Sequence, residues 1–112
     1  MEPTAYPLEL TVAEAHALLA AGPGQALILD VREPDELAVA QVEGARAIPM
    51  RQVPAHVDSL PRDRHLLVLC HHGQRSLRVT HFLRDHGFAA VSSIAGGIEA
   101  WAVEIDLAIP RY

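Results

Sequence analysis

Short apolar runs alternate with amphipathic segments along the whole chain. Short, mainly apolar runs of four to six residues predict buried strands. The predicted strands lie at residues 26–31, 45–48, 66–69 and 90–94. Segments with apolar residues three and four apart predict helices, beginning at residue 11 and covering 35–40, 53–60, 76–86 and 98–102. This alternation favours an α/β fold with a central parallel sheet and helices on both faces.

Polar, glycine and proline residues support several of these boundaries. Thr11 with Glu14 three positions later predicts a capping box at the first helix, which residues 22–24 then end. Pro34 suits the first turn of a short helix, where its missing N–H is not needed. Gly87 is expected just beyond the end of the helix over 76–86.

Length and cysteine content indicate a small domain without disulfides or structural zinc. The 112 residues suit a single domain over 1–112, and half of them are apolar. With only one cysteine, the chain has neither an internal disulfide nor a cysteine pair for zinc, which suits a reducing compartment. The core is expected to be aliphatic because aromatic residues make up only 4%.

The charge pattern argues against polyanionic partners. The chain has nine arginines, no lysine and 14 acidic residues, which gives a net charge of −5, and it contains no block of basic residues. We therefore expect no nucleic-acid partner. No apolar run approaches the roughly 20 residues of a membrane span, and residues 1–4 do not resemble a signal peptide. The sequence is interpreted as that of a soluble, cytoplasmic protein without a membrane partner.

The most informative stretch is residues 66–76, where an apolar run ends at the lone cysteine, Cys70. A short loop, His71-His72-Gly73-Gln74-Arg75, separates it from the helix predicted to begin at Ser76. Such a loop directs backbone N–H groups, and the helix dipole, at the thiol. This environment favours a thiolate and an anion beside it, so we interpret Cys70 as a nucleophile rather than a small core residue.

Several neighbours of Cys70 have two open interpretations. Arg75 either steadies the loop through carbonyl or carboxylate hydrogen bonds or attracts an anionic donor. His71 and His72 either tune the thiol or bind an acceptor, or are simply exposed loop residues.

Two further residues lie at the end of the neighbouring strand. Asp30 and Arg32 are expected to pair with or brace the loop, and with Ser76 they form a supporting layer around it. Alternatively, Arg32 forms only a surface ion pair with Glu36 four residues later. Trp101 is expected to serve in packing. The remaining histidines have no metal-ligand spacing and are expected at the surface: His16, His56, His65, His81 and His86.

Four segments, in order, resemble the signatures of the single-domain rhodaneses, a family of sulfurtransferases. The resemblance covers residues 10–112. The segments are Asp30-Val31-Arg32-Glu33-Pro34-Asp35-Glu36, Glu43-Gly44-Ala45-Arg46-Ala47-Ile48-Pro49, Cys70-His71-His72-Gly73-Gln74-Arg75-Ser76 and Gly96-Gly97-Ile98-Glu99-Ala100-Trp101. The resemblance implies a rhodanese-like fold in which Cys70 accepts a sulfane sulfur as a persulfide and passes it on.

The resemblance also implies the partners. The expected donors are thiosulfate or a persulfide, and the expected acceptors are cyanide or a thiol, with no metal or organic cofactor. A second hypothesis is a binding module that relays a persulfide from a docked protein, such as a desulfurase or sulfur carrier, with little small-molecule turnover.

Loop length argues against a third hypothesis, phosphate-ester or arsenate chemistry. Cys70 and Arg75 enclose four residues, one fewer than in the related dual-specificity phosphatases. The smaller ring suits a single sulfur atom rather than a tetrahedral phosphate.

Overall fold

The computed structural model describes residues 6–22 and 24–112, and its centre is a five-stranded, wholly parallel sheet. The strands are β1 Glu9–Leu10, β2 Ala26–Asp30, β3 Arg46–Ala47, β4 His65–Leu69 and β5 Val91–Ile94. Their order in the sheet is β1-β5-β4-β2-β3. The α-helices are α1 Val12–Ala20, α2 Pro34–Val39, α3 Val53–His56, α4 Gln74–Asp85 and α5 Gly97–Glu104.

The central strand is β4, which pairs with β2 on one side and β5 on the other. Its register with β2 runs from Ala26 opposite His65 to Asp30 opposite Leu69. Both strands therefore end at the same level, and the residues that follow them, including Cys70, share the carboxyl edge of the sheet. In parallel α/β sheets this edge is where ligands bind.

The two faces of the sheet carry separate hydrophobic cores because successive side chains of a strand point to opposite sides. On β4, Leu67 and Leu69 pack with residues of α1 and α5, including Trp101. Leu66 and Val68 belong to the other core, which contains residues of α4 and also Cys70. The α/β fold with helices on both faces is thus confirmed, as is the packing role of Trp101, which is 4% exposed.

Most predicted elements are present, with shifted ends. Thr11 forms the predicted capping box with Glu14, and Gly87 has the positive φ expected beyond α4. Pro23, part of the predicted stop after α1, lies outside the described residues.

The structure differs from the predicted elements in several details. No strand was predicted at β1, whose two residues are too few to show a period. The helix predicted over 53–60 is instead α3 between two 3-10 turns, Met50–Gln52 and Val57–Ser59, since His56 leaves helical geometry at φ −110°. Finally, α4 begins at Gln74, two residues before the predicted start, because Gly73 at φ 110° serves as its N-cap. Among the described residues, none of the helices has the length and apolarity to cross a lipid bilayer.

Candidate active site

Cys70 follows the last residue of β4 and points to the face covered by α4. The residue is only 1% exposed, but its sulfur does not lie among hydrocarbon groups alone. The Sγ atom accepts hydrogen bonds from the backbone N–H groups of Gly73, at 3.0 Å, and Ser76, at 3.3 Å. The chain between these residues therefore curls around the sulfur, as the nucleophile hypothesis requires.

Gly73 allows this curl. Its φ of 110° is a conformation that side-chain-bearing residues rarely adopt. A Cβ at this position would also lie 3.2 Å from the backbone nitrogen of Gly96. Because α4 begins directly after Gly73, Gln74, Arg75 and Ser76 form its first turn, and their N–H groups point out of the helix end.

The start of α5 orients the other half of the loop. The N–H groups of Ile98 and Glu99 donate to the carbonyl oxygens of Cys70, at 2.9 Å, and His71, at 3.2 Å. In a trans peptide the N–H points opposite to the carbonyl, so the N–H groups of His71 and His72 point away from α5. Gly97 makes this approach possible, since a Cβ there would lie 2.4 Å from both carbonyl oxygens.

Four loop N–H groups are available to a ligand. Within the described part of the chain, no acceptor faces the backbone N–H of His71, His72, Gln74 or Arg75. Several N–H groups on one short loop form a concave anion-binding nest. With the two donors to Sγ, they suit an anionic sulfur held beside the thiol.

Two buried serine hydroxyl groups, linked by a hydrogen bond, lie next to the sulfur. The Oγ of Ser76 lies 3.3 Å from Sγ, 3.1 Å from the carbonyl oxygen of Gly73 and 2.8 Å from the Oγ of Ser93. Both serines are fully buried. The Ser76 hydroxyl accepts from a Cys70 thiol and, by rotation, can donate to a thiolate, so it suits either state.

Arg75 steadies the loop through a carboxylate. Its guanidinium donates two hydrogen bonds to Glu36 on α2, at 2.6 and 2.8 Å. These bonds lower the pKa of Glu36 to about 2, and the carboxylate raises the pKa of Arg75. Of the two interpretations of Arg75, the geometry favours the first, a brace between α4 and α2.

Asp30 and Arg32 pair with each other rather than with the loop. The guanidinium of Arg32 donates to both Asp30 carboxylate oxygens, at 2.7 Å for the shortest contact, and to the carbonyl oxygen of Ala40, also at 2.7 Å. Both residues are buried, with Arg32 0% exposed. The alternative of a surface ion pair between Arg32 and Glu36 was therefore wrong: Arg32 reaches only the backbone oxygen of Glu36, at 3.3 Å.

The two loop histidines differ in their surroundings. His72 is exposed, whereas His71 is partly buried, and its Nε2 has no hydrogen-bonding partner among the described residues. The His71 ring stacks on that of Tyr112, with centroids 3.9 Å apart and an interplanar angle of 11°. Desolvation, followed by the charge of His72, lowers the pKa of His71, which favours its neutral form.

Sequence reasoning missed four residues that build this site: Glu36, Ser93, Gly97 and Tyr112. Glu36 and Gly97 lie within the quoted signatures, but their partners are distant along the chain. Ser93 and Tyr112 carry no sequence signal of a role.

One prediction about the other histidines was also wrong. His56 and His65 are partly buried rather than at the surface. The Nε2 of His65 lies 2.8 Å from the Oγ of Ser92, and burial lowers the pKa of His65.

A large cavity is remote from Cys70. A cavity of about 440 Å³ lies between β1, α1 and the start of β4, and its lining includes Tyr6, Leu10 and His65. This is the amino edge of the sheet, opposite the nucleophile. The candidate site, in contrast, is a narrow loop whose main-chain N–H groups surround the sulfur atom of Cys70.

Comparisons with known proteins identify the family of the chain. The family model described as Rhodanese-like domain matches residues 11–104. The thiosulfate sulfurtransferase GlpE of Stutzerimonas stutzeri is 34% identical over 88 residues, which are 79% of this chain and 78% of that protein. The chloroplastic rhodanese-like/PpiC domain-containing protein 12 of Arabidopsis thaliana is 37% identical over 92 residues. That match covers 79% of this chain but only 31% of the larger relative.

The fold comparison gives the same result. The solved structure of the human single-domain sulfurtransferase superposes with a TM-score of 0.78 at 26% identity, covering 88% of this chain and 97% of the human one. The family match extends over most of the chain, and several relatives are named sulfurtransferases. The chain therefore belongs to the rhodanese-like domain family of sulfurtransferases.

Proposed function

We propose that this protein moves a sulfane sulfur from thiosulfate or a persulfide donor, through a persulfide on Cys70, to cyanide or a thiol acceptor. The Cys70 thiolate attacks the outer sulfur of the donor. The donor's S–S bond breaks, and sulfite or the donor thiolate leaves with the electron pair. The acceptor then attacks the outer sulfur of the persulfide, giving thiocyanate or a new persulfide and regenerating the Cys70 thiolate.

The observation that carries the proposal is the pair of N–H donors from Gly73 and Ser76 to Sγ. A cysteine that only filled space in the core would not need main-chain donors aimed at its sulfur. The same donors, with the four N–H groups that have no acceptor in the described chain, suit the negative charge of a persulfide's outer sulfur. The proposed anion-binding loop therefore consists of His71, His72, Gly73, Gln74 and Arg75. Ser76 supports it directly, whereas Asp30 and Arg32 support it indirectly, through the contacts of Arg32 with Tyr112 and with the backbone of Glu36.

Burial of Cys70 restricts how a donor reaches it. At 1% exposure, the thiol is accessible only to a narrow group that enters the loop or to a loop that opens slightly. A terminal sulfur atom meets this condition better than a phosphoryl group. Phosphate chemistry would also need a free guanidinium for the phosphate oxygens, whereas both donor arms of Arg75 are bound to Glu36.

The charge around the loop favours a second candidate, a relay that takes its sulfur from a docked persulfide protein. The arginines that contact the site residues are each paired with a carboxylate: Arg32 with Asp30, Arg75 with Glu36 and Arg111 with Glu99. Paired guanidinium groups attract a free dianion such as thiosulfate less strongly than open ones. We expect the reaction to take place in a reducing compartment such as the cytoplasm, because the lone thiol must stay reduced.

The test is an intact mass after incubation with thiosulfate and, separately, with a small-molecule persulfide. We expect the wild-type protein to gain one sulfur atom and to lose it on treatment with cyanide. Cys70→Ser should gain none while keeping the wild-type unfolding midpoint, because the side chains have similar volume. Fast turnover of thiosulfate with cyanide would favour the enzyme, and loading only by a persulfide would favour the relay. A folded wild-type protein that gains no sulfur from either donor would contradict the proposal.

A further inference from the structure

The C-terminal segment, residues 105–112, returns from α5 to the loop around Cys70. Its path begins where the N–H groups of Ile105 and Asp106 both donate to the carbonyl oxygen of Trp101, which ends α5. A side-chain oxygen of Asp106 then accepts from the N–H of Ala108 at 3.0 Å, forming a turn. Ile109, only 8% exposed, anchors the segment in the core shared by α1 and α5. The segment is therefore held in place before it reaches the site.

Tyr112 joins two ion pairs at the end of this path. Its hydroxyl accepts a hydrogen bond from Arg32 at 3.0 Å and donates one to Glu36 at 2.8 Å. Glu36 in turn holds Arg75 through both carboxylate oxygens. One phenol oxygen thus connects the buried Asp30–Arg32 pair with the pair that braces the first turn of α4.

The ring of Tyr112 makes a second, independent contact with the loop. It stacks on His71 at 3.9 Å, and His71 lies equally close to the ring of His72. The groups that face His71 come from four parts of the chain: His72 from the loop itself, the backbone of Tyr112, which forms a hydrogen bond with the imidazole, Glu36 from α2 and Glu99 from α5. Desolvation, the largest influence, lowers the pKa of His71 despite the two carboxylates. A ring covering the imidazole is consistent with this loss of solvent.

Arg111, the residue before Tyr112, is linked through Glu99 to the backbone carbonyl of His71. Arg111 donates to the carboxylate of Glu99, with the Nε contact at 2.9 Å. The backbone N–H of Glu99 donates to the carbonyl oxygen of His71. The backbone carbonyl of His71 is therefore held by Glu99 of α5, and its ring by Tyr112. The C-terminal segment takes part in both contacts, through Arg111 on Glu99 and through the Tyr112 ring.

From these contacts we infer that Tyr112 is a positioning residue for sulfur transfer, fixing the His71 ring and the Glu36–Arg75 brace around Cys70. This inference rests on the proposed function. Tyr112 does not touch the sulfur; it acts through the two residues that flank the loop. Its hydroxyl and its ring carry separable parts of the role, because one contacts Glu36 and Arg32 and the other contacts His71.

The experiment compares Tyr112→Phe, which keeps the ring, with Tyr112→Ala, which removes both contacts. Leu107→Ala is the matched control, since Leu107 lies in the same segment and is 82% exposed. Kinetics use whichever donor loads wild-type Cys70. We expect Tyr112→Ala to lower kcat by about tenfold with little change in KM, as for the loss of a hydrogen bond to a charged group. Tyr112→Phe should show a smaller loss, and Leu107→Ala none.

An NMR titration separates positioning from a general structural effect. In Tyr112→Ala the pKa of His71 should rise toward its ordinary value, because the covering ring is gone, whereas Tyr112→Phe should leave it lowered. The His71 resonance is assigned with His71→Gln, and thermal unfolding confirms that each variant is folded.

Two results would overturn the inference. One is wild-type kcat and KM in Tyr112→Ala, and the other is an equal loss in Leu107→Ala. A wild-type protein that takes up no sulfur overturns the proposed function itself, and the inference falls with it. Wild-type activity that survives Tyr112→Ala overturns the inference alone.

Discussion

Glu36 illustrates how one carboxylate stabilises the loop that contains Cys70. Its pKa falls from 4.5 to about 2 because Arg75 donates two hydrogen bonds to the ionised form. A depressed carboxyl pKa means that the stabilisation is fully present above pH 4.5 and is lost as the pH falls toward 2. The contribution of Glu36 to the free energy of unfolding should therefore fall as the pH is lowered from 4.5 to 2.

We predict that Glu36→Gln lowers the free energy of unfolding by about 1–3 kcal/mol at pH 7, the range for hydrogen bonds to a charged group that is partly screened by solvent. The difference between wild type and variant should shrink between pH 4.5 and pH 2, as measured by urea unfolding at each pH. Asp35→Asn, on the exposed side of the same helix, is the control and should change stability little at any of these pH values. A difference that stays constant down to pH 2 would contradict the assignment.

Residues differed in how far the sequence revealed them. Cys70 was identifiable because a strand end, a glycine and a helix start are all local features. The partner of Arg75 was not, because 39 positions separate it from Glu36 and only the fold brings the two together. The alternative interpretation of Arg32 was wrong for a related reason: helical spacing suggested an ion pair with Glu36, whereas the extended backbone placed the guanidinium on Asp30, two residues away.

Among the elements, the start of α5 has the largest effect on the shape of the loop. The N–H groups of Ile98 and Glu99 donate to the carbonyl oxygens of Cys70 and His71. The N–H groups of the same two peptides, those of His71 and His72, therefore point away from α5. Gly97 permits this approach at a φ of 60°. The sequence suggested only a turn at this position, since it gives no sign that another loop packs against the helix end.

We predict that Gly97→Ala destabilises the protein by at least about 2 kcal/mol more than Gly44→Ala, through overpacking against backbone. Both glycines have positive φ, at 60° and 84°, so both substitutions strain the backbone. Only at Gly97 would the new Cβ meet carbonyl oxygens, at 2.4 Å, because the space around Gly44 is open to 4 Å. Urea unfolding measures the difference, and equal losses would show that the close approach has no energetic weight.

At the scale of the whole molecule, the sheet connects Cys70 with the hydrophobic core on the opposite face, which contains Trp101 and which Cys70 does not contact. The apolar runs of β2 and β4 predicted the centre of this sheet well, because a strand buried on both faces is apolar at nearly every position. In β5, two of the four buried residues are serines, Ser92 and Ser93. The short edge strand β1 and the course of residues 105–112 were not predictable, since their positions depend on tertiary contacts rather than on a local period. The C-terminal segment nevertheless carries Tyr112 to the site.

The two cores should unfold together because β4 contributes alternate residues to both. Leu66 and Leu67 are adjacent and fully buried, but Leu66 packs on the Cys70 face and Leu67 on the Trp101 face. We predict that either Leu→Ala substitution costs about 2–5 kcal/mol. Each should shift two probes by the same amount: fluorescence of the only tryptophan, and pulsed alkylation of the only cysteine. If Leu66→Ala exposed Cys70 in urea while Trp101 kept its native signal, the faces would be independent units, and the sheet would not couple the site to the opposite core.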